Sequence, residues 1–222
     1  MALATEAPVE MTMSQRRDYL TLPTDLPVPT DDGATDHLTG FHLPSIPLTA
    51  TNGDTVDLAQ IRRRTIIYIY PRTGTPDAEP PGGEVAWNAI PGARGCTPES
   101  CAFRDHYAEL QALGSDVYGL STQTANEQRE VASRLHLPFP LLSDADLALT
   151  RALRLPTFEV DGHSLIKRLT LVIADGQVEH VFYPVFPPDR HAEQVLAWLE
   201  AAEPPARLSA GDGSTSGRCG RR

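Results

Sequence analysis

The chain has 222 residues, enough for one domain of ordinary size with extensions at its ends. Its 41% hydrophobic and 22% charged residues are close to the averages of globular proteins, which argues against wholesale disorder and against a coiled-coil rod. The 29 acidic and 19 basic residues give a net charge of −10, which repels nucleic acids and anionic membrane surfaces. We therefore expect no nucleic-acid partner.

The sequence carries no run of about 18 apolar residues, the minimum for a membrane-spanning helix, and its N-terminus lacks the basic-then-apolar layout of a signal peptide. We expect a cytoplasmic protein without a membrane partner. The 3 cysteines are an odd number, which does not suggest the disulfide framework of a small secreted domain. In a reducing compartment, cysteines often serve metal or redox chemistry.

Composition divides the chain into three regions. Residues 1–36 mix Pro, Thr, Asp and Gly without a sustained apolar period, which predicts an N-terminal extension on the domain surface. Residues 37–203 alternate short apolar runs with helical periods and are predicted to form the domain. Residues 204–222 begin with two prolines and are rich in Gly and Ser, so we expect a disordered tail in which Cys219 is a bystander thiol.

The apolar pattern predicts alternating strands and helices across the domain. The continuous, β-branched and aromatic run 65–70 is typical of a central strand that is covered on both faces. Asp175-Gly176, between two further runs, indicates an antiparallel hairpin. A mixed β-sheet with helices on both faces, the thioredoxin-like plan, follows from this order. The predicted elements are strand 65–70, a helix that carries Phe103, Tyr107, Leu110 and Leu113, strand 116–120, helix 125–136, strand 139–142, helix 145–154, strands 169–173 and 178–183, and a helix from Asp189.

The segment 95–105, GCTPESCAFRD, carries two closely spaced cysteines. Thr97 is predicted to cap a helix and Pro98 to be its first residue, so Cys96 lies at the helix N-terminus or one residue before it. That position favours the thiolate. Complete ionisation raises the thiolate fraction only by roughly 30-fold, so a fast thiol enzyme also needs a cation or hydrogen-bond donors near the sulfur.

We expect Cys101 to be accessible, because Phe103 and Leu110 lie on the opposite side of the helix. If Cys96 and Cys101 are both helical, their Cα atoms are about 8 to 9 Å apart, more than a disulfide tolerates. Oxidation would then require the first helical turn to unwind. On the residues alone, two unrelated thiols remain an alternative, and the spacing fits neither a structural zinc site nor a C-x-x-C dithiol.

Two separate stretches resemble the peroxiredoxins of the bacterioferritin-comigratory or Q type. The resemblance covers about residues 40–203 and implies a thioredoxin-like fold. It rests on Tyr70-Pro71 after the apolar strand, on Gly95-Cys96-Thr97 with Cys101 and Phe103-Arg104-Asp105, and on Lys167 to Phe182 with Arg168 and Asp175-Gly176.

The resemblance implies a thiol peroxidase that reduces hydrogen peroxide or small organic hydroperoxides and needs no metal or other cofactor. Cys96 would attack the peroxide and become a sulfenic acid, and Cys101 would condense with it to form a disulfide. A thioredoxin-like or other dithiol partner would reduce that disulfide, and Arg168 would hold the thiolate and polarise the peroxide. We expect a monomer or a homodimer. The alternative is a redox sensor or binding module on the same scaffold, without fast turnover.

The sequence departs from the family pattern Pro-x-x-x-Thr-x-x-Cys, whose Thr hydroxyl contacts the peroxide. Pro71 and Thr75 match the pattern, but residues 77–94 are inserted before Gly95. If the ends of the insertion meet, Thr75 reaches the pocket, and Thr73 is the other candidate. We expect the insertion to be a solvated loop, with a lid over Cys96 or a partner surface as the alternatives.

Overall fold

The computed structural model describes residues 20–75 and 78–202. The predicted tail with Cys219 and the first 19 residues lie outside this part of the chain. Among the described residues, the main sheet has seven strands in the order β2-β1-β5-β4-β3-β8-β9, and β6 pairs with β7 in a separate hairpin. The strands are β1 Pro47–Ala50, β2 Thr55–Asp57, β3 Thr65–Ile69, β4 Asp116–Ser121, β5 Leu141–Ser143, β6 Thr157–Val160, β7 His163–Ile166, β8 Leu169–Ala174 and β9 Gln177–Phe182.

In the described part of the chain, six α-helices and two short 3-10 turns accompany the strands. Within the described ranges, none of the helices has the length and apolar character to cross a bilayer. The helices are α1 Gly83–Asn88, α2 Cys96–Asp105, α3 Tyr107–Ala112, α4 Ala125–Arg134, α5 Ala148–Leu153 and α6 His191–Ala202, and the 3-10 turns are Leu58–Gln60 and Pro188–Arg190.

Strand β3 lies in the middle of the sheet and is buried along its whole length, as its apolar run predicts. It pairs in parallel with β4 and antiparallel with β8, so the sheet is mixed. Alternate side chains point to opposite faces: Ile67 lies in one buried cluster with Leu149 of α5, and Ile66 in another with Phe103 of α2 and Leu199 of α6. Helices therefore cover both faces, which confirms the predicted fold class.

Type and order of the predicted elements agree with the structure, although their ends shift. The predicted helix through Phe103 and Leu113 is two helices, α2 and α3, which meet at His106, where φ is −97° and ψ is 7°. The hairpin at Asp175-Gly176 is present, and both residues have positive φ.

Two hairpins were not predicted, β1–β2 and β6–β7. The β6–β7 turn contains Asp161 and Gly162, with φ of 48° and 75°, and thus repeats the signal at 175–176. Gly53, with φ of 93°, lies in the turn between β1 and β2. The strands of these hairpins are only three or four residues long, so their strand pattern is weak.

Residues 20–36 contain neither helix nor strand and lie on the domain surface. Asp32 forms an ion pair of 2.7 Å with Lys167 and accepts a hydrogen bond of 2.8 Å from the Tyr183 hydroxyl. These contacts attach the extension beside the start of β8. The division of the chain at residues 36 and 203 stays a prediction.

The expectation that the insertion is a solvated loop is wrong for its described residues 78–94, which we call the inserted segment. This segment contains α1, and Trp87 is only 4% exposed. Trp87 and Ala93 form a buried cluster with Leu165 of β7, against which Phe158 of β6 also packs. The β6–β7 hairpin was not predicted from the sequence, so the Trp87 ring had no predicted partner.

Candidate active site

Helix α2 begins at Cys96, which is its first residue. The preceding Gly95 has φ of 106°, and a Cβ atom there would lie 2.4 Å from Pro188 Cγ, so the position requires glycine. The predicted cap at Thr97 is therefore wrong: Gly95 is the N-cap residue, and Thr97 and Pro98 are the second and third residues of the helix. The expectation that Cys96 lies at the helix N-terminus is met.

The Cys96 thiol is buried, with 3% of the residue exposed, and lies next to the side chain of Arg168. Arg168 Nη2 is 3.1 Å from Cys96 Sγ, although the residues are far apart in sequence. Arg168 directly precedes β8, which pairs with β3 at the centre of the sheet. The sheet register thus brings the guanidinium to the start of α2.

Further contacts fix the orientation of the Arg168 guanidinium. Its Nη1 group donates to the carboxylate of Glu99, one helical turn after Cys96. Its Nε group donates to the Gly92 carbonyl oxygen at 3.2 Å, and Nη2 also donates to the carbonyl oxygens of Ala93 and Arg94 at 3.3 and 3.2 Å. The guanidinium is thus held both by α2 and by the end of the inserted segment.

Burial opposes ionisation of Cys96, and Arg168 promotes it. Burial raises the pKa of the Cys96 thiol, the adjacent Arg168 guanidinium lowers it, and the Glu99 carboxylate raises it. The net direction is upward, so the helix N-terminus alone does not yield the expected thiolate. Burial also raises the pKa of Glu99 to about 7, against the lowering effect of Arg168. Protonation of Glu99 therefore leaves more of the guanidinium charge for the Cys96 thiolate.

The two candidate threonines lie in different surroundings. Thr75 is exposed and lines a cleft that also contains Cys96. Thr73 is buried, and its backbone N–H and hydroxyl both donate to Gln123 Oε1, at 2.9 and 3.0 Å. Thr73 is not among the residues that line the cleft. Of the two, Thr75 is therefore the one that lines the cleft beside Cys96.

Helix α4 holds the chain that leads to Thr75. Arg72 forms an ion pair of 2.7 Å with Glu127, and Arg134 Nη2 donates to the Gly74 carbonyl oxygen at 3.0 Å. Both partners belong to α4, whose N-terminus is fixed by a capping box. A well-anchored helix thus fixes the residues on both sides of Thr73 and brings Thr75 to the cleft.

Cys101 lies on the same helix as Cys96, and both are free cysteines. Cys101 is half-buried and packs at the edge of the core cluster that contains Cys96, so the predicted accessibility is only partly met. Burial raises the pKa of its thiol, and nearby Arg104 lowers it. Because both residues are helical, the predicted distance of about 8 to 9 Å between their Cα atoms applies to this helix.

Some groups in the site were not recognised from the sequence. Glu99 was not predicted to belong to the site, although its spacing of three residues from Cys96 puts both on one helix face. That spacing was a usable signal. The carbonyl oxygens at 92–94 carried none, because any residue type provides them.

The fold and the site together define a class of protein: a thioredoxin-like thiol enzyme with a buried cysteine at a helix start and an arginine beside the sulfur. The Redoxin family matches residues 38–196, and the chain belongs to that family. Peroxiredoxin Bcp of Escherichia coli (strain K12) is 31% identical over 162 residues, which cover 71% of this chain and 92% of that protein. The chloroplastic Peroxiredoxin Q of Gentiana triflora is 28% identical over 161 residues, and the alignment spans 65% of its length.

Solved structures agree with this relationship. Peroxidoxin BcpB from Mycobacterium tuberculosis superimposes with a TM-score of 0.60 at 27% identity, covering 75% of this chain and 99% of that one. Peroxiredoxin Q of Xanthomonas campestris gives a TM-score of 0.56 at 26% identity, with 81% and 99% covered. The chain is a peroxiredoxin of the Bcp/Q type, a thiol peroxidase in the thioredoxin-like fold, and the predicted family and enzyme class are confirmed.

Proposed function

We propose that Cys96 is the cysteine that attacks the peroxide. Its thiolate bonds to one peroxide oxygen, the O–O bond breaks, and the second oxygen leaves as water or an alcohol after taking a proton. The sulfur is oxidised to sulfenic acid as the peroxide is reduced. The observation that carries this proposal is the 3.1 Å contact between Arg168 Nη2 and Cys96 Sγ in a buried site. There a cation both favours the thiolate and stabilises negative charge on the leaving oxygen.

The cleft beside Cys96 suits hydrogen peroxide or a small organic hydroperoxide. Its accessible volume is about 80 Å³, and apolar groups of Pro80, Pro81, Trp87 and Pro98 contribute to its walls. Within it, the Thr75 hydroxyl would hydrogen-bond to the peroxide oxygen. One solved structure, at 25% identity and with a TM-score of 0.55, concerns the alkyl peroxide reduction activity of the Xanthomonas campestris bacterioferritin comigratory protein. That activity supports an organic hydroperoxide as a substrate.

Cys101 would complete the cycle. Its thiol attacks the Cys96 sulfenic acid, water leaves, and a Cys96–Cys101 disulfide forms. Because a helix holds the two Cα atoms too far apart for a disulfide, the first turn of α2 must unwind for this step. A thioredoxin-like or other dithiol then reduces the disulfide and becomes oxidised itself.

The test follows Cys96 oxidation by one equivalent of peroxide with stopped-flow detection and intact mass. Wild type should consume peroxide rapidly and lose two hydrogens, mapped to Cys96 and Cys101. Cys96→Ser should abolish the reaction, and Cys101→Ser should stop at sulfenic or sulfinic acid. Arg168→Met should slow oxidation by roughly 100-fold or more, because it removes the charge-stabilising donor. Lys167→Met, at the exposed neighbouring cation, is the matched control.

Slow oxidation of wild type at the rate of a free thiol would contradict the proposal and support the redox sensor instead. Turnover unaffected by Cys101→Ser would replace the disulfide step by a one-cysteine cycle.

A cytoplasmic location and a monomeric or homodimeric state also belong to this proposal. The chemistry supports a reducing compartment, because a dithiol reductant must return Cys96 and Cys101 to free thiols in each cycle. Sedimentation of the reduced and oxidised protein tests the oligomeric state.

A further inference from the structure

The end of the inserted segment provides three successive carbonyl oxygens to one guanidinium. Those of Gly92, Ala93 and Arg94 all accept hydrogen bonds from Arg168, at 3.2 to 3.3 Å. In an extended chain, successive carbonyl groups point in alternating directions. Here the chain turns, and Gly92 has φ of 77°, so the three oxygens converge on Arg168.

These carbonyl acceptors differ from a carboxylate in one respect that matters for Cys96. A carbonyl oxygen orients a guanidinium by hydrogen bonds but carries no net charge, so the positive charge of Arg168 remains available to the sulfur. Glu99 orients the same group, but its carboxylate competes with the thiolate for that charge. The inserted segment therefore fixes the direction of the guanidinium without neutralising it.

Trp87 attaches this part of the chain to the hairpin. The indole ring packs in the buried cluster with Ala93 and Leu165, and its centroid is 6.3 Å from that of the Phe158 ring. Ala93 belongs to both arrangements, because the residue lies in the Trp87 cluster while its carbonyl oxygen accepts from Arg168. The packing of Trp87 and the orientation of Arg168 are thus joined through a single residue.

We propose that Trp87 is a positioning residue for the peroxidase reaction: it clamps the inserted segment onto the β6–β7 hairpin and so holds the carbonyl oxygens of 92–94 on Arg168. The proposal rests on the function proposed above for Cys96 and Arg168. Trp87 acts through Arg168, whose guanidinium would otherwise change its angle to the sulfur and to the bound peroxide. A small misplacement of such a group costs up to about 100-fold in rate.

The experiment compares Trp87→Ala with Trp87→Phe and Val85→Ala. Trp87→Ala should slow Cys96 oxidation by about 10- to 100-fold and shift the pH profile of Cys96 alkylation to higher pH. Trp87→Phe keeps an aromatic ring in the cluster and should recover most of the rate. Val85→Ala lies on the same helix, where Val85 is 87% exposed, and should match wild type. Circular dichroism establishes that each variant is folded.

Trp87 also lines the cleft, so its loss could slow oxidation without changing the orientation of Arg168. Leu165→Ala distinguishes these two effects. Leu165 contacts the same cluster from β7 and does not line the cleft, so Leu165→Ala should reproduce both the slower oxidation and the shifted profile. Leu165→Ala also tests the positioning role if Trp87→Ala fails to fold.

Two results would overturn the proposal. One is a folded Trp87→Ala or Leu165→Ala variant with wild-type rate and profile. The other is a slower Trp87→Ala variant with an unshifted profile, which would make Trp87 only a wall of the cleft. Failure of the proposed function is recognised separately, because wild type would then oxidise slowly, whereas the alkylation profiles would still report the coupling of Trp87 to Cys96.

Discussion

At Arg168, a single guanidinium faces two acidic groups, the Cys96 thiol and the Glu99 carboxyl group. Each is buried, and burial raises the pKa of both. Burying two anions beside one cation costs more free energy than burying one anion there. Ionisation of Cys96 therefore opposes ionisation of Glu99, and the reverse. The charge on Glu99 therefore affects how readily the Cys96 thiol ionises.

Glu99→Gln should lower the pKa of Cys96. The amide removes the negative charge that raises the thiol pKa but keeps an oxygen that accepts from Arg168 Nη1. The pH profile of Cys96 alkylation should shift to lower pH, while Glu109→Gln, at an exposed carboxylate of α3, should leave it in place. An unchanged profile, or one at higher pH, would show that Glu99 acts chiefly by orienting Arg168.

The two threonines near the site should respond differently to loss of their hydroxyls. Thr75→Val keeps the side-chain shape at the cleft but removes the donor proposed to contact peroxide, so kcat/KM should fall by roughly 10-fold or more. Thr73→Val removes one donor to Gln123 and should cost about 1 kcal/mol of stability with little change in peroxide rate. Single-turnover oxidation and thermal unfolding distinguish the two. A kinetic loss confined to Thr73→Val would reverse the assignment.

At the scale of elements, the first turn of α2 is buried but lacks a side-chain cap in the described part of the chain. Gly95 precedes it, and among the described residues no side chain caps its N-terminus, whereas α4 has a complete capping box. A side-chain cap stabilises a helix by about 1 kcal/mol, so its absence lowers the cost of unwinding. The same turn carries Cys96 and ends close to Cys101, the two residues that the proposed disulfide would join.

Hydrogen exchange should therefore reveal an opening of α2 that depends on oxidation. In the reduced protein, the amides of 99–105 should be protected, and in the disulfide form those of the first turn should exchange much faster. Helix α4 is the internal reference, since its protection should be the same in both states. Equal protection of α2 in both states would rule out unwinding as the route to the disulfide.

The elements that could be predicted are those whose signal is local. Strand β3 follows from a continuous apolar run, and the β8–β9 hairpin follows from Asp175-Gly176. The β6–β7 hairpin has the same type of turn, but its strands of four residues each are too short for the pattern to be clear. Because Trp87 packs against this hairpin, the order of the inserted segment depends on a contact between distant parts of the chain.

The groups of the candidate site likewise divide into those that the sequence identified and those that only the structure shows. Cys96, Cys101, Arg168 and Thr75 were identified from the resemblance, since side-chain identity at a given spacing is visible in a sequence. The carbonyl oxygens that orient Arg168 are backbone groups of 92–94, and only the turn of the chain makes them converge. The opposing effect of burial on Cys96 also required the structure, because it depends on everything packed around the sulfur.

On the scale of the whole molecule, two buried titratable groups give stability opposite dependences on pH. Burial lowers the pKa of His191 to about 4 from an ordinary 6.5, although Gln194 raises it, and Arg168 adds to the lowering. Its contribution is present above pH 6.5 and is lost as pH falls towards about 4. The pKa of Glu99 is raised from 4.5 to about 7, so its contribution is present below pH 4.5 and is lost as pH rises through about 7.

Between pH 4.5 and 6.5 the two contributions to the unfolding free energy change in opposite directions. A variant that lacks one group should therefore show the pH dependence that the other group causes. Relative to wild type, the unfolding free energy of His191→Gln should rise as pH falls from 6.5 to 4, by on the order of 3 kcal/mol. That of Glu99→Gln should instead rise relative to wild type as pH increases from 4.5 through 7. Denaturant unfolding at a series of pH values measures both differences. Parallel curves for wild type and His191→Gln would mean that His191 titrates normally in the folded protein.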